Sequence, residues 1–125
     1  NRYKWELFNL QKKLVKKNSK ESIVFSEIMR LLKIRKNQEA FHPNATQYTL
    51  DLGKKIYGLW RQSKDKRQSI FSGTNITSER VEVNLNRLNL IKNETWRDLI
   101  NPKTKINGKK NIRLKPFETL WISNN

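Results

Sequence analysis

The single histidine, His42, is the first place to look for acid–base or nucleophilic chemistry. A catalytic imidazole needs a nucleophile or a carboxylate set against it, and the sequence offers no such partner. His42 sits directly before Pro43, where helical geometry is disfavoured, so a structural role at a turn is the simpler reading. One histidine without any cysteine is also too few ligands for zinc. The carboxylates Asp51, Asp65, Glu79, Glu82, Glu94, Asp98 and Glu118 fall mostly in expected turns or at strand edges. A retaining glycosidase holds two carboxyls about 5–5.5 Å apart across a sugar, and no pair here carries a motif for that. Surface charge, partly paired with the excess of lysine, is the expectation for them. The four glycines are scattered, so no phosphate-cradling loop is formed. Ser72-Gly73-Thr74-Asn75 lacks the glycine pattern of a nucleophile elbow. Trp60, Trp96 and Trp121 could stack on sugars or bases. In short alternating strands, however, tryptophan more often serves as half-buried core. No catalytic, metal-binding or cofactor-binding residue is assigned on these grounds.

The elements that would position these residues come from 125 residues with a formal charge of +16 and no cysteine. That length suits one domain, or a small domain with an appendage. Without cysteine there is no disulfide and no thiol nucleophile, as befits a cytoplasmic protein. The densest apolar stretch, Ser22 to Leu32, is broken by Glu27 and Arg30, so no membrane span is expected. The start, Asn1-Arg2-Tyr3-Lys4-Trp5, has no apolar run of the signal-peptide kind. The basicity invites a nucleic-acid reading. Yet lysine dominates over arginine and the basic residues are spread thinly, which is also what codon bias produces. The tightest groups are Lys12-Lys13 with Lys16-Lys17, Lys54-Lys55, and Lys103 with Lys109-Lys110. None is part of a recognised nucleic-acid motif, and weak non-specific polyanion binding is the expectation.

Leu7, Leu10 and Leu14 repeat at helical spacing within about 4–17. Asn18 and Glu21 have the spacing of a capping box for a second helix over 21–36. That helix would place Val24, Ile28, Leu31 and Leu32 on one stripe, widened by Ile23 and Phe25, which an isolated fragment would partly expose. After Pro43 the pattern changes to short β runs separated by polar turns. Strands are expected at Tyr48–Leu52, Ile56–Gln62, Gln68–Asn75, Val81–Leu85, Thr95–Ile100, Asn111–Leu114 and Thr119–Ser123. Turns are expected at Leu52-Gly53-Lys54-Lys55, Ser63-Lys64-Asp65-Lys66 and Ile106-Asn107-Gly108-Lys109, where Asn-Gly favours a hairpin.

Several of these segments resemble, in order, the C-terminal part of sucrose-phosphorylase-like members of the α-amylase superfamily, glycoside hydrolase family 13. Leu31-Leu32-Lys33-Ile34-Arg35, followed by Ala40-Phe41-His42-Pro43-Asn44-Ala45, is similar to the segment that closes their catalytic barrel. Asn1-Arg2 resembles the residues that follow their eighth barrel strand. Thr49-Leu50-Asp51-Leu52-Gly53, the strand Ile56 to Arg61, and Thr74-Asn75-Ile76-Thr77 resemble segments of the β domain that follows. So do Trp96-Arg97-Asp98-Leu99-Ile100 and the closing Leu114 to Ile122. The Ala-Phe-His-Pro-Asn cluster points to the sucrose and glucosylglycerate phosphorylase branch. Thr74 stands where the family carries histidine, and the strong basicity is not a family trait.

The resemblance implies a parent enzyme with a (β/α)8 barrel and a C-terminal β domain. Such a parent transfers a glucosyl group to phosphate with retention, giving glucose 1-phosphate. Its catalytic carboxylates lie on barrel strands upstream, so this chain alone would not be an enzyme. Its partners would be that barrel and, in the parent, sugar and phosphate. Arg2 is the one residue at a position that can face the donor sugar. The expected fold is α+β. Residues 1–43 would be two helices ending the barrel, packed on an antiparallel β-sandwich or curled sheet of about seven short strands over 44–125. The expected role is to brace the barrel, with no cofactor. The alternative is a freestanding basic module that binds nucleic acid through its lysines and strand tryptophans.

Overall fold

The computed structural model describes residues 3–88, 95–107 and 111–124. They fall into two units, Asn1–Arg35 and Lys36–Asn125.

The first unit holds helix α1 (Leu7–Val15) and most of helix α2 (Lys20–Lys36). The turn between them is capped by Ser19, one residue beyond the expected Asn18. The Ser19 hydroxyl accepts from the Ser22 amide at 3.0 Å and donates to the Lys13 carbonyl at 2.6 Å. It thereby satisfies an amide that the start of any helix leaves unpaired. Glu21 therefore does not complete a capping box; it pairs with Lys13 at 2.8 Å.

The stripe on α2 is partly exposed, as expected of this chain by itself. Val24 is 57% exposed, Ile28 51% and Leu32 48%, and Leu31 is half-buried. Ser22 is the one residue of α2 that is buried. Ile23, Phe25 and Met29 widen the apolar surface of the helix, while Ser22, Ser26, Arg30 and Lys33 form its polar side. None of the described helices is long and apolar enough to cross a membrane.

The second unit is built by strand alternation. Strands β1 (Thr46–Leu50), β2 (Ile56–Gln62) and β3 (Ser69–Asn75) form a meander. The turns joining them are the expected ones. Gly53 takes φ +82° beside the Asp51 carboxylate, and Lys66 takes φ 61° in the turn closed by Ser63. The chain then enters β4 (Val81–Asn84), β5 (Thr95–Asp98), β6 (Lys105–Asn107), β7 (Asn111–Leu114) and β8 (Thr119–Ser123). One sheet has the order β1-β2-β3-β8-β5-β6, and β4 with β7 forms a two-stranded ribbon. Every pairing is antiparallel. The expected sandwich is thus a six-stranded sheet backed by a ribbon.

Strand β6 was not expected. It is only three residues long, with Ile106 as its sole apolar member, too short for period-two alternation to show. The strands flanking Asn107-Gly108 go to different sheets, so that dipeptide does not join a paired hairpin. Gly108 itself lies outside the described residues.

One face of the six-stranded sheet meets the ribbon. Ile56, Trp60, Phe71, Trp96, Leu120 and Ile122 from the sheet join Val83 and Leu114 from the ribbon in one buried cluster. Trp60 and Trp96 lie with ring centroids 5.7 Å apart. Both tryptophans are core, as expected. Gly73 lies under the Phe71 ring, where an added Cβ would come within 2.8 Å of it.

Candidate functional site: the clamped connector

Between α2 and β1 the chain makes a 3-10 turn, Glu39–Phe41, that ends at Pro43. The amides of Phe41 and His42 donate to the carbonyls of Gln38 and Glu39, each at 3.0 Å. Ala45 closes the next turn on the His42 carbonyl at 2.9 Å. A short side chain at position 40 lets the turn lie flat on the sheet, and Ala40 is fully buried.

Two side chains from the sheet hold this connector. Arg61, near the end of β2, donates from Nε to the Ala40 carbonyl at 2.7 Å and from Nη2 to the His42 carbonyl at 2.9 Å. Its Nη1 reaches the Gln47 side chain at 2.6 Å. Charge-assisted bonds from a planar fork fix direction as well as distance. Gln68, just before β3, accepts from the Ala40 amide at 2.9 Å and donates to the Gln38 side chain at 2.7 Å. Both backbone groups of Ala40 are thus engaged by the sheet. Phe41 packs edge-on against Trp121 of β8, with centroids 4.9 Å apart, and lies beneath Arg61. Ile70, directly across from Arg61, is fully buried on this same face.

His42 bonds to the turn that follows it. Its Nδ1 accepts from the Asn44 amide at 3.1 Å and the ring is exposed, which is the structural role expected of it. Beside it lies an open depression of about 380 Å³ lined by Glu39, His42, Ala45, Ser63, Lys64 and Asp65. Two of its lining side chains, Ser63 and Asp65, are already engaged with one another. The Ser63 hydroxyl donates to Asp65 at 2.6 Å and accepts from the Gln68 amide at 3.0 Å. That hydroxyl, with the Arg67 amide and guanidinium, holds the Asp65 carboxyl below its ordinary range. Among the described residues no group of three His, Cys, Asp or Glu could hold a metal ion. The geometry is that of a mechanical joint.

The remaining candidates separate cleanly. Glu79 pairs with Lys55 and Glu82 with Arg113, on the surface as expected. Asp98 departs from that expectation: it is 3% exposed and accepts from the Ile100 amide at 2.8 Å, capping the turn after β5. Trp121 is half-buried on the connector side rather than in the core. Arg2 lies outside the described residues. Sequence reasoning missed Gln68 altogether, because one polar residue at a strand start is unremarkable until its partner is known.

Asn75 is a second anchor that reading by residue type did not find. It is fully buried, and its Nδ2 donates to the carbonyls of Glu79 at 2.6 Å and Lys115 at 2.8 Å. Its Oδ1 accepts from the amide and hydroxyl of Thr77. The Thr74-Asn75-Ile76-Thr77 segment is therefore a structural staple between the turn after β3 and the turn before β8.

No family model matches the chain, and no curated protein matches it by sequence. Solved structures do match. AmyP in complex with maltose aligns with a TM-score of 0.68 at 21% identity, over 86% of this chain and 22% of AmyP. A variant of AmyP in complex with maltotriose aligns equally well. This chain therefore spans about a fifth of the length of the protein it matches. At that identity the likeness is one of fold: what this chain shares with AmyP is the arrangement of its backbone.

Proposed function

We propose that this chain is the C-terminal, non-catalytic portion of an α-amylase-superfamily enzyme of the sucrose-phosphorylase-like branch. In this reading residues 1–43 end the catalytic barrel and residues 44–125 form the β domain after it. The observation that carries it is α2: its apolar residues Ile23, Val24, Phe25, Ile28 and Met29 are left half or more exposed. Such a helix has its packing partners elsewhere in a larger body. The fold shared with a stretch of AmyP and the ordered sequence resemblance support the identity of that body. The clamp on Ala40 then fixes the joint through which the barrel and the β domain are connected. Arg2 would face the donor sugar, and the parent would release glucose 1-phosphate from a glucoside and phosphate.

The test compares the 125-residue chain with a longer protein that includes the region encoded before Asn1. Phosphate-dependent glucose 1-phosphate release is measured from sucrose and from glucosylglycerate, and reducing-end release from maltotriose. The longer protein should turn over one of the first two and the short chain none. Turnover of maltotriose alone would keep the superfamily and remove the phosphorylase branch. Turnover by the short chain would end this reading.

A further inference from the structure

The two helices differ in the charge they carry. α2 mixes signs: Glu21 and Glu27 stand among its basic residues, and Glu27 pairs with Arg30. Residues 3–20, which hold α1, carry six lysines against one carboxylate, Glu6. Glu6 is taken up by the Asn9 side chain at 2.8 Å. Helical spacing puts Leu7, Leu10 and Leu14 on one side of α1, widened by Phe8 and Val15. Asn9, Lys12 and Lys13 make the other side, and Lys16 and Lys17 follow directly. The apolar side is open: Leu7 is 70% exposed, Phe8 65% and Val15 81%. Tyr3 and Trp5, just ahead of the helix, pack edge-on with centroids 5.0 Å apart and are also exposed. Lys12 Nζ lies 4.3 Å over the Phe8 ring and Lys13 Nζ 4.5 Å over that of Trp5. Their stems thus cover aromatic surface while the ammonium groups stand at its border.

We infer that α1 docks on an anionic lipid surface. It would lie in the plane of the interface, with Leu7, Phe8 and Leu14 toward the acyl chains and its lysines among the headgroups. Charge complementarity selects that occupant: basic residues beside an apolar helix face are drawn to a negatively charged leaflet. A nucleic-acid backbone would pair with the lysines and leave Leu7, Phe8 and Val15 in water. A lipid interface takes both sides, and amphipathic rings such as those of Tyr3 and Trp5 sit at its headgroup level. With nine residues in α1, the association should be weak and reversible, and should need the apolar and the basic side together. The inference goes beyond the reading under Proposed function, because α1 falls between the segments Asn1-Arg2 and Leu31 onward that resemble the family.

Vesicle flotation tests this on the 125-residue chain. The chain should bind vesicles of phosphatidylcholine mixed with phosphatidylserine and not those of phosphatidylcholine alone, and added salt should weaken the binding. Brominated phosphatidylcholine in the charged vesicles should quench Trp5 emission, and Trp5→Phe should abolish that quenching. Phe8→Ser and Lys12→Glu should each lower binding several-fold, and Phe8→Leu should keep it. Lys64→Glu makes the same charge change in an exposed turn of the β unit and should alter binding little. No binding to the charged vesicles overturns the inference. So does binding without quenching of Trp5, or an equal loss from Lys64→Glu, since net charge alone would then hold the chain. Binding of a single-stranded oligonucleotide that Lys12→Glu removes and Phe8→Ser spares, without insertion into vesicles, would assign α1 to nucleic acid and overturn it as well.

Discussion

Trp60 in the β unit is 4% exposed, and Phe8 in the helical unit is 65% exposed. Both are large aromatic side chains, and their difference lies in what surrounds them. The β unit supplies its own neighbours: a sheet face, a ribbon, and buried polar anchors such as Asn75 with each hydrogen-bonding position matched. The helical unit offers apolar residues and little to cover them. Leu7, Val15, Ile23, Val24, Phe25, Ile28 and Met29 are all half or more exposed. The lesson concerns pattern as opposed to composition. Alternation along a strand can be completed by the next few strands of the same chain, whereas the wide apolar side of a helix needs a further layer laid over it.

Core truncation should break this contrast most sharply. Trp60→Ala removes a buried ring packed on Trp96 and should cost about 3–5 kcal/mol. Ile28→Ala, half exposed on α2, should change the stability of this chain by under about 0.5 kcal/mol. Urea melts of the two variants beside the parent chain suffice. A large loss for Ile28→Ala would mean that α2 is packed in solution, and the contrast would fail.

Asn75→Ala is expected to come next. It removes the Asn75 donor from the carbonyls of Glu79 and Lys115, at about 1–3 kcal/mol for a group left unsatisfied. Melting-temperature loss comparable with that of Trp60→Ala would make the polar anchor as important as the core. No loss would show that water replaces the amide.

The joint should respond less. Arg61→Lys keeps the charge but loses the fork that spans two carbonyls. We expect a loss of about 1–2 kcal/mol, in the range of one charge-assisted hydrogen bond. Exchange of the His42 amide should rise relative to amides in β3. Unchanged exchange there would show that Gln68 alone holds the connector.

Legibility in the sequence follows the same division. Ile56–Gln62, Asn111–Leu114 and Thr119–Ser123 match their expected bounds because alternation and turn chemistry agree at those places. Strand β6 was invisible because three residues carry no period. The cap shifted from Asn18 to Ser19 because two capping residues stand side by side and only the fold chooses between them. The resemblance singled out Ala40 to Pro43 and Thr74 to Thr77 without saying why; the clamp and the Asn75 staple are the physical reasons. The stripe on α2 was legible because periodicity reports where apolar residues lie along a helix; what covers it is not, because periodicity says nothing of the neighbours.

Acid should produce the smallest and most diffuse effect, and it separates the two units least. Hydrogen bonds from Lys13 to Glu21, Arg30 to Glu27, Lys55 to Glu79 and Arg113 to Glu82 hold these carboxyls below their ordinary value of 4.5. A depressed folded-state value means that the folded chain keeps the charged form longer than the unfolded chain does. Each pair therefore stabilises above the unfolded value, and that contribution is lost as pH falls through the folded one. All four pairs are on the surface, where screening leaves such contacts worth little. Melts between pH 7 and 5 should therefore superimpose, with the midpoint declining only below about 4.5, the ordinary carboxylate value. Adding about 1 M salt should flatten even that decline, because the Debye length falls to about 3 Å. A steep loss already near pH 6 would overturn this expectation, because these four carboxyls are held below 4.5.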